Sequence, residues 1–213
     1  MTPQEASQAA LDICNAAPVI PVLVLDNTGS AAPLATALVD GGLPVLEVTL
    51  RTPAALDVIS EMAQVAGGIV GAGTLLTPED VAAAKAAGAT FGVSPGATDR
   101  LLAACEDHGL PLLPGAATAT EVMRLMERGY TTQKFFPAEA SGGAPALKAI
   151  AAPLPQVTFC PTGGIDIAKA RGYLALPNVR CVGGSWVAPK EMVAAADWAG
   201  IEALAAEAAG LER

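Results

Sequence analysis

From Pro18 onward, short runs rich in Val, Ile, Leu and Phe alternate with longer Ala-rich runs of helical character. The short runs predict strands at 19–25, 45–50, 69–72, 91–94, 110–113, 132–136, 157–160 and 179–182. Between them lie helix starts in which a hydroxyl or carboxylate can accept the first free N–H groups: Thr52-Pro53, Thr77-Pro78 with Asp80, Thr98-Asp99, Thr118 with Glu121, and Asp166. Glycines at 41, 88, 109 and 129 end several of these helices. Ahead of the first strand, residues 2–15 read as an amphipathic helix with Ala6, Ala9, Ala10 and Ile13 on one side, suited to capping the rest. Eight strand-helix units at roughly 24 residues each predict a single (β/α)8 TIM barrel with an N-terminal capping helix. A doubly wound open sheet is the alternative. The regular count of eight and the polar residues at the C-terminal ends of strands favour the barrel.

The chain has 213 residues, enough for one large core and too few for two comfortable ones, so residues 1–213 are expected to form one domain. Aromatics are only 4% of it against 52% apolar residues, so the core must be built of Ala, Val, Leu and Ile. A net charge of −9 with no basic stripe argues against nucleic acid and membrane as partners. An anionic small molecule would need a local positive site. No apolar run is long enough to span a bilayer, and the first residues lack a basic start and an apolar signal core, so a soluble cytoplasmic protein is expected. The four cysteines stand far apart in sequence and there is one histidine, so neither zinc nor a disulfide framework is expected. No cofactor is called for.

The residue that stands out is Lys134, set in the apolar stretch TTQKFFPAE (131 to 139). A lone ammonium in a buried strand costs free energy unless it is paired, deprotonated or useful. A lysine that attacks a carbonyl must be neutral, and at pH 7 only about one in 2,500 is neutral at the reference pKa. Desolvation by Phe135 and Phe136, or a nearby cation, would raise that fraction and suit an amine that forms a Schiff base. The plainer reading is a lysine that snorkels to water from a strand end.

Strand alternation in VLEVTLR puts Glu47, Thr49 and Arg51 on one face, which must look into the barrel. Glu47 supplies a candidate base and Arg51 a two-point clamp for a carboxylate, with a structural ion pair as the plain alternative. GAGT (71 to 74) ends the third strand with two glycines and the hydroxyl of Thr74, through which a ligand could approach the backbone, although a tight turn would need the same glycines. SPG at 94 to 96 reads mainly as turn chemistry. PTGGI (161 to 165) and GGSW (183 to 186) fall in the loops after strands seven and eight, where barrels commonly bind phosphate, with Thr162 and Ser185 as added hydroxyls. His108 is expected to be a solvated helix-end residue.

Taken together, LEVTLRT, GAGT, SPG, KFFPAE, FCPTGGI and GGSW, in this order between residues 18 and 189, resemble the bacterial 2-keto-3-deoxy-6-phosphogluconate (KDPG)/4-hydroxy-2-oxoglutarate (KHG) aldolases. The resemblance implies a metal-independent, class I aldolase that forms a Schiff base with pyruvate, works as a homotrimer and takes a small phosphorylated keto acid. On that resemblance Lys134 is the imine-forming amine and Glu47 the general acid/base. Arg51 and Thr74 hold the pyruvyl carboxylate, Pro95 and Phe136 wall the imine, and Thr162 lies near the C4 hydroxyl or carboxylate. Gly163, Gly164, Gly184 and Ser185 bind the phosphate. The chain departs from the pattern at Gln133, often aromatic in relatives, and at Thr158, often basic. Parity turns Gln133 toward the helices and Thr158 inward. Competing readings are the galactonate-derived epimer aldolase, against which KFFPAE and Thr162 weigh, a phosphosugar isomerase or epimerase, and a barrel that only binds a phosphosugar. Fold alone does not separate these.

Overall fold

The computed structural model describes all residues, 1–213. Its first half runs α1 (Pro3–Ala16), β1 (Val19–Leu23), α2 (Ala31–Asp40), β2 (Val45–Thr49), α3 (Ala55–Met62), β3 (Ile69–Gly73), α4 (Pro78–Ala86), β4 (Phe91–Val93) and α5 (Asp99–His108). The second runs β5 (Leu112–Leu113), β6 (Gly115–Ala116), α6 (Ala119–Arg128), β7 (Thr132–Phe135), α7 (Gly143–Ala151), β8 (Thr158–Pro161), α8 (Ile167–Leu174), β9 (Val182–Gly184), α9 (Lys190–Ala194) and α10 (Trp198–Ala209). The strands are parallel and lie in two hydrogen-bonded arcs, one ordered β5-β4-β3-β2-β1-β9 and the other β6-β7-β8. The protein is therefore α/β with parallel strands. The arcs approach each other at both ends: Pro114 alone separates β5 from β6, and single bridges join Phe159 to Val179 and Thr162 to Gly183.

The fifth expected strand, 110–113, is thus replaced by two short pieces. β5 pairs with β4 and β6 pairs with β7, and Pro114, which has no N–H to give, stands where the partner changes. The last expected strand, 179–182, is shifted to Val182–Gly184, because only there does the chain pair with β1, Val19 opposite Val182. Cys181 accordingly precedes a strand rather than lying in one. Thr52 does not start a helix either. Its hydroxyl donates to the Leu25 carbonyl at 2.6 Å, and α3 begins at Ala55. The other expected caps are in place: Thr77 and Thr118 close capping boxes with Asp80 and Glu121, and Thr98 and Asp166 cap α5 and α8; Thr2 and Glu5 form a further capping box outside those expected.

Alternation along each strand sorts the side chains onto two faces. Leu46 and Val48 of β2, Val70 and Ala72 of β3 and Phe135 of β7 join the larger apolar cluster, shared with the helices. On the opposite face, Ile20, Val45, Phe91, Val93, Leu113, Cys160 and Cys181 form a smaller cluster with Ala10 and Cys14 of α1. Of the expected side of α1, Ala6 and Ala10 are buried and Ile13 packs half-buried against the smaller cluster, while Ser7 and Cys14 complete the buried stripe. Ser7 accepts the N–H groups of Thr131 and Thr132 at 2.9 and 3.0 Å, which ties α1 to the N-terminal end of β7. Three cysteines distant in sequence, Cys14, Cys160 and Cys181, thus meet in one apolar cluster.

Candidate active site

On the inner face several strands finish on polar residues near their C-terminal ends. Along β2 the inward series is Val45, Glu47, Thr49; along β7 it is Thr132 and Lys134; along β8 it passes through Cys160 to Thr162. This places the charged groups toward the C-terminal ends of the strands. Lys134 donates to Glu47 Oε1 at 3.3 Å, with the two residues only 5% and 3% exposed. An ion pair so buried loses several kcal/mol per charge in desolvation, so it is a poor means of stabilising a fold. A chemical use explains it better. Burial pushes the Glu47 carboxyl above its ordinary range, while the Lys134 ammonium beside it pulls the other way. A proton passed from Nζ to Oε1 leaves a neutral amine next to a carboxylic acid.

Only one of the two phenylalanines faces this pair. Phe135 points into the helix-side cluster, whereas the Phe136 ring lies with its centroid 5.3 Å from Lys134 Nζ. Gln133, of opposite parity to Lys134, donates to the carbonyls of Val122 and Tyr130 behind the strand, clear of the inner face. Phe136 and Thr162 also border a cavity of about 470 Å³. Its wall carries Arg51, Gly163, Gly164, Gly184 and Ser185 as well, so seven of the eleven singled-out residues meet there. Lys134 and Glu47 are not on its wall; the pair is linked to it through Phe136, whose ring lies against Lys134 Nζ. Thr74 and Pro95 are not on its wall either. Thr74 nonetheless holds φ at +63°, a costly backbone state for a β-branched residue and one that clusters at functional sites.

The glycines serve two different purposes. Gly163 and Gly164 have φ of +108° and +76°, and their N–H groups have no hydrogen-bond partner within the protein, so two backbone donors are available at the cavity wall. Gly71, Gly73, Gly183 and Gly184 instead make room for side chains. A Cβ at Gly71 would run into the Phe91 ring, one at Gly183 into Thr162, and one at Gly184 into the Trp186 ring. A Cβ at Gly73 would overlap the Glu47 carboxylate. Gly73→Ala is therefore expected to displace that carboxylate and lower kcat by at least about 100-fold, the low end for losing a general acid/base. Steady-state kinetics on protein of unchanged melting temperature checks this, and a wild-type kcat would show that Glu47 has no fixed post.

Sequence reasoning missed the support behind the glycine loop. Glu139, at the end of KFFPAE, accepts from the Tyr173 hydroxyl at 2.7 Å and pairs with Lys169 at 3.3 Å. Lys169 also donates to the Gly164 carbonyl at 2.8 Å, and the Ala138 and Glu139 N–H groups bond to the carbonyls of Thr162 and Gly163. Only the fold brings residues 139, 164, 169 and 173 together, and no local motif announces it.

Parallel strands that end in a buried amine-carboxylate pair, with a cavity that has free backbone donors, define an α/β protein with a polar site at the C-terminal ends of its strands. The comparisons narrow the class. The family model described as KDPG and KHG aldolase matches residues 11–204. A 2-dehydro-3-deoxy-phosphogluconate aldolase of Pseudoalteromonas atlantica is 52% identical over 198 residues, 92% of each chain. The crystal structure of the 2-keto-3-deoxy-6-phosphogluconate aldolase of Zymomonas mobilis ZM4 with 3-phosphoglycerate superposes with a TM-score of 0.94 at 48% identity, covering 97% of this chain and 98% of that one. That of the KDPG aldolase from Legionella pneumophila, with pyruvate captured at low pH as a covalent carbinolamine intermediate, superposes with a TM-score of 0.91 at 46% identity over 94% and 98% of the chains. The chain belongs to the KDPG and KHG aldolase family.

Proposed function

We propose that this protein is a class I aldolase that cleaves 2-dehydro-3-deoxy-6-phosphogluconate to pyruvate and D-glyceraldehyde 3-phosphate, reversibly, through a Schiff base on Lys134. The observation that carries the reading is the buried Lys134–Glu47 pair, linked through Phe136 to a glycine-walled cavity. The neutral Lys134 amine adds to the C2 ketone, and the carbinolamine loses water to give an iminium. Glu47 takes the C4 hydroxyl proton, directly or through a water, and the C3–C4 bond breaks with its electrons passing to the iminium. Glyceraldehyde 3-phosphate leaves. The enamine is protonated at C3, and water releases pyruvate and the free lysine.

In this scheme Arg51 and Thr74 hold the pyruvyl carboxylate, Pro95 and Phe136 wall the imine, and Thr162 meets the C4 hydroxyl or carboxylate. Gly163, Gly164, Gly184 and Ser185 receive the phosphate. Activity extends to 4-hydroxy-2-oxoglutarate, whose cleavage needs the same bond changes.

The same reading covers architecture and assembly. Residues 1–213 form one domain in which the two arcs close as a (β/α)8 barrel, with Pro114 and the Phe159–Val179 and Thr162–Gly183 bridges at the seams and α1 across the N-terminal mouth. The family resemblance supports a homotrimer that needs no metal. No helix is long and apolar enough to cross a membrane, which fits a cytoplasmic enzyme.

Purified protein given the phosphorylated substrate is expected to release pyruvate, measured by coupled reduction to lactate, at a rate unchanged by prior exhaustive EDTA treatment. No pyruvate release would overturn the proposal, and a rate restored only by a divalent ion would replace its mechanism with an enolate-stabilising metal.

A further inference from the structure

The cavity that Phe136 links to the catalytic pair contains a cation that none of the motifs includes. Of the residues on its wall only Arg51 and Lys190 are charged, and both are positive. Lys190 is the first residue of α9, exposed, and makes no hydrogen bond or ion pair through its ammonium. It shares the cavity with Gly163, Gly164 and Ser185. It also borders a second cavity, of about 270 Å³, together with Asp26, Asn27 and Ser30, and the two cavities share Val24, Ala188 and Lys190. Its long side chain therefore stands on the partition between a carboxylate-free cavity and one that contains Asp26.

We propose that Lys190 is a specificity-determining residue that engages the phosphate group of the substrate. The inference rests on the functional reading above and adds what that reading lacks. A substrate with a carboxylate and a phosphate needs a cation for each, within a protein of net charge −9. Arg51, whose planar fork matches a carboxylate, serves one end. Backbone N–H groups and the Ser185 hydroxyl orient the phosphate at the other end but carry no full charge, and Lys190 supplies it as a flexible point charge. Lys190 recognises the phosphate and takes no part in bond breaking, so its effect falls on binding of the phosphorylated substrate alone.

The test compares two substrates that differ only in the phosphate, 2-dehydro-3-deoxy-6-phosphogluconate and 2-dehydro-3-deoxygluconate, with wild type, Lys190→Ala and Lys190→Arg. Lys190→Ala is expected to raise KM for the phosphorylated substrate roughly tenfold, the low end for a hydrogen bond to a charged group. Its kcat should stay near wild type, kcat/KM for the unphosphorylated substrate should not change, and inhibition by inorganic phosphate should weaken. Lys190→Arg should restore most of the loss. Equal KM changes for both substrates, or none for either, would overturn the inference while pyruvate release by the wild type leaves the functional reading standing. A wild type that releases no pyruvate would overturn both.

Discussion

Lys134→Ala is expected to reduce aldol cleavage by at least about 10⁴-fold, equivalent to more than ~5 kcal/mol of transition-state stabilisation. In the proposed mechanism no other amine can take over, because the electrons of the breaking C3–C4 bond need an iminium at the position Lys134 defines. The fold should survive the change. Glu47 loses its cation, but its carboxyl, already pushed up by burial, can take a proton and so avoid an unpaired buried charge. Circular dichroism should therefore match wild type while pyruvate release is lost. Substantial activity in folded Lys134→Ala would end the Schiff-base account.

Glu47→Gln has the second largest expected effect, a loss in kcat of about 10²–10⁴-fold. The amide keeps the shape and can still accept from Lys134, yet it cannot take the C4 hydroxyl proton. Imine formation, which can use water as a proton carrier, should continue slowly, so trapping with pyruvate persists where turnover fails. The pH profile separates this role from a structural one. Because burial raises the Glu47 pKa, the carboxylate stays protonated to a higher pH than an exposed one would. The base form is thus lost as pH falls through that raised value, and the acid limb of kcat/KM should lie above the ordinary carboxylate range and vanish in Glu47→Gln. A limb unchanged by the substitution would assign it to another group.

What could be read in the sequence was local. Thr77 with Asp80 and Thr118 with Glu121 mark helix starts because a cap needs only its own first turn, and both form as expected. The starts of α2 and α7 gave no such signal, since Ser30 and Gly142 make no side-chain cap. Alternation in VLEVTLR separated Glu47 from Leu46 and Val48, because a period of two is fixed by the backbone. The purpose of Gly73 was hidden. It depends on a carboxylate arriving from the neighbouring strand, a matter of register and not of spacing. The glycines of GAGT suggested room for a ligand, yet the room at Gly71 and Gly73 is filled by Phe91 and Glu47. Glu139, Lys169 and Lys190 escaped notice for the same reason: each becomes informative only when loops from different strands meet.

The central claim is that Lys134 is the nucleophile. Incubating the protein with pyruvate, reducing with borohydride and mapping the product by peptide mass spectrometry addresses it directly. The account predicts a single reduced pyruvate adduct on the peptide that contains Lys134, absent from Lys134→Ala. No adduct in folded protein, or an adduct on Lys190 with Lys134 unmodified, would contradict it.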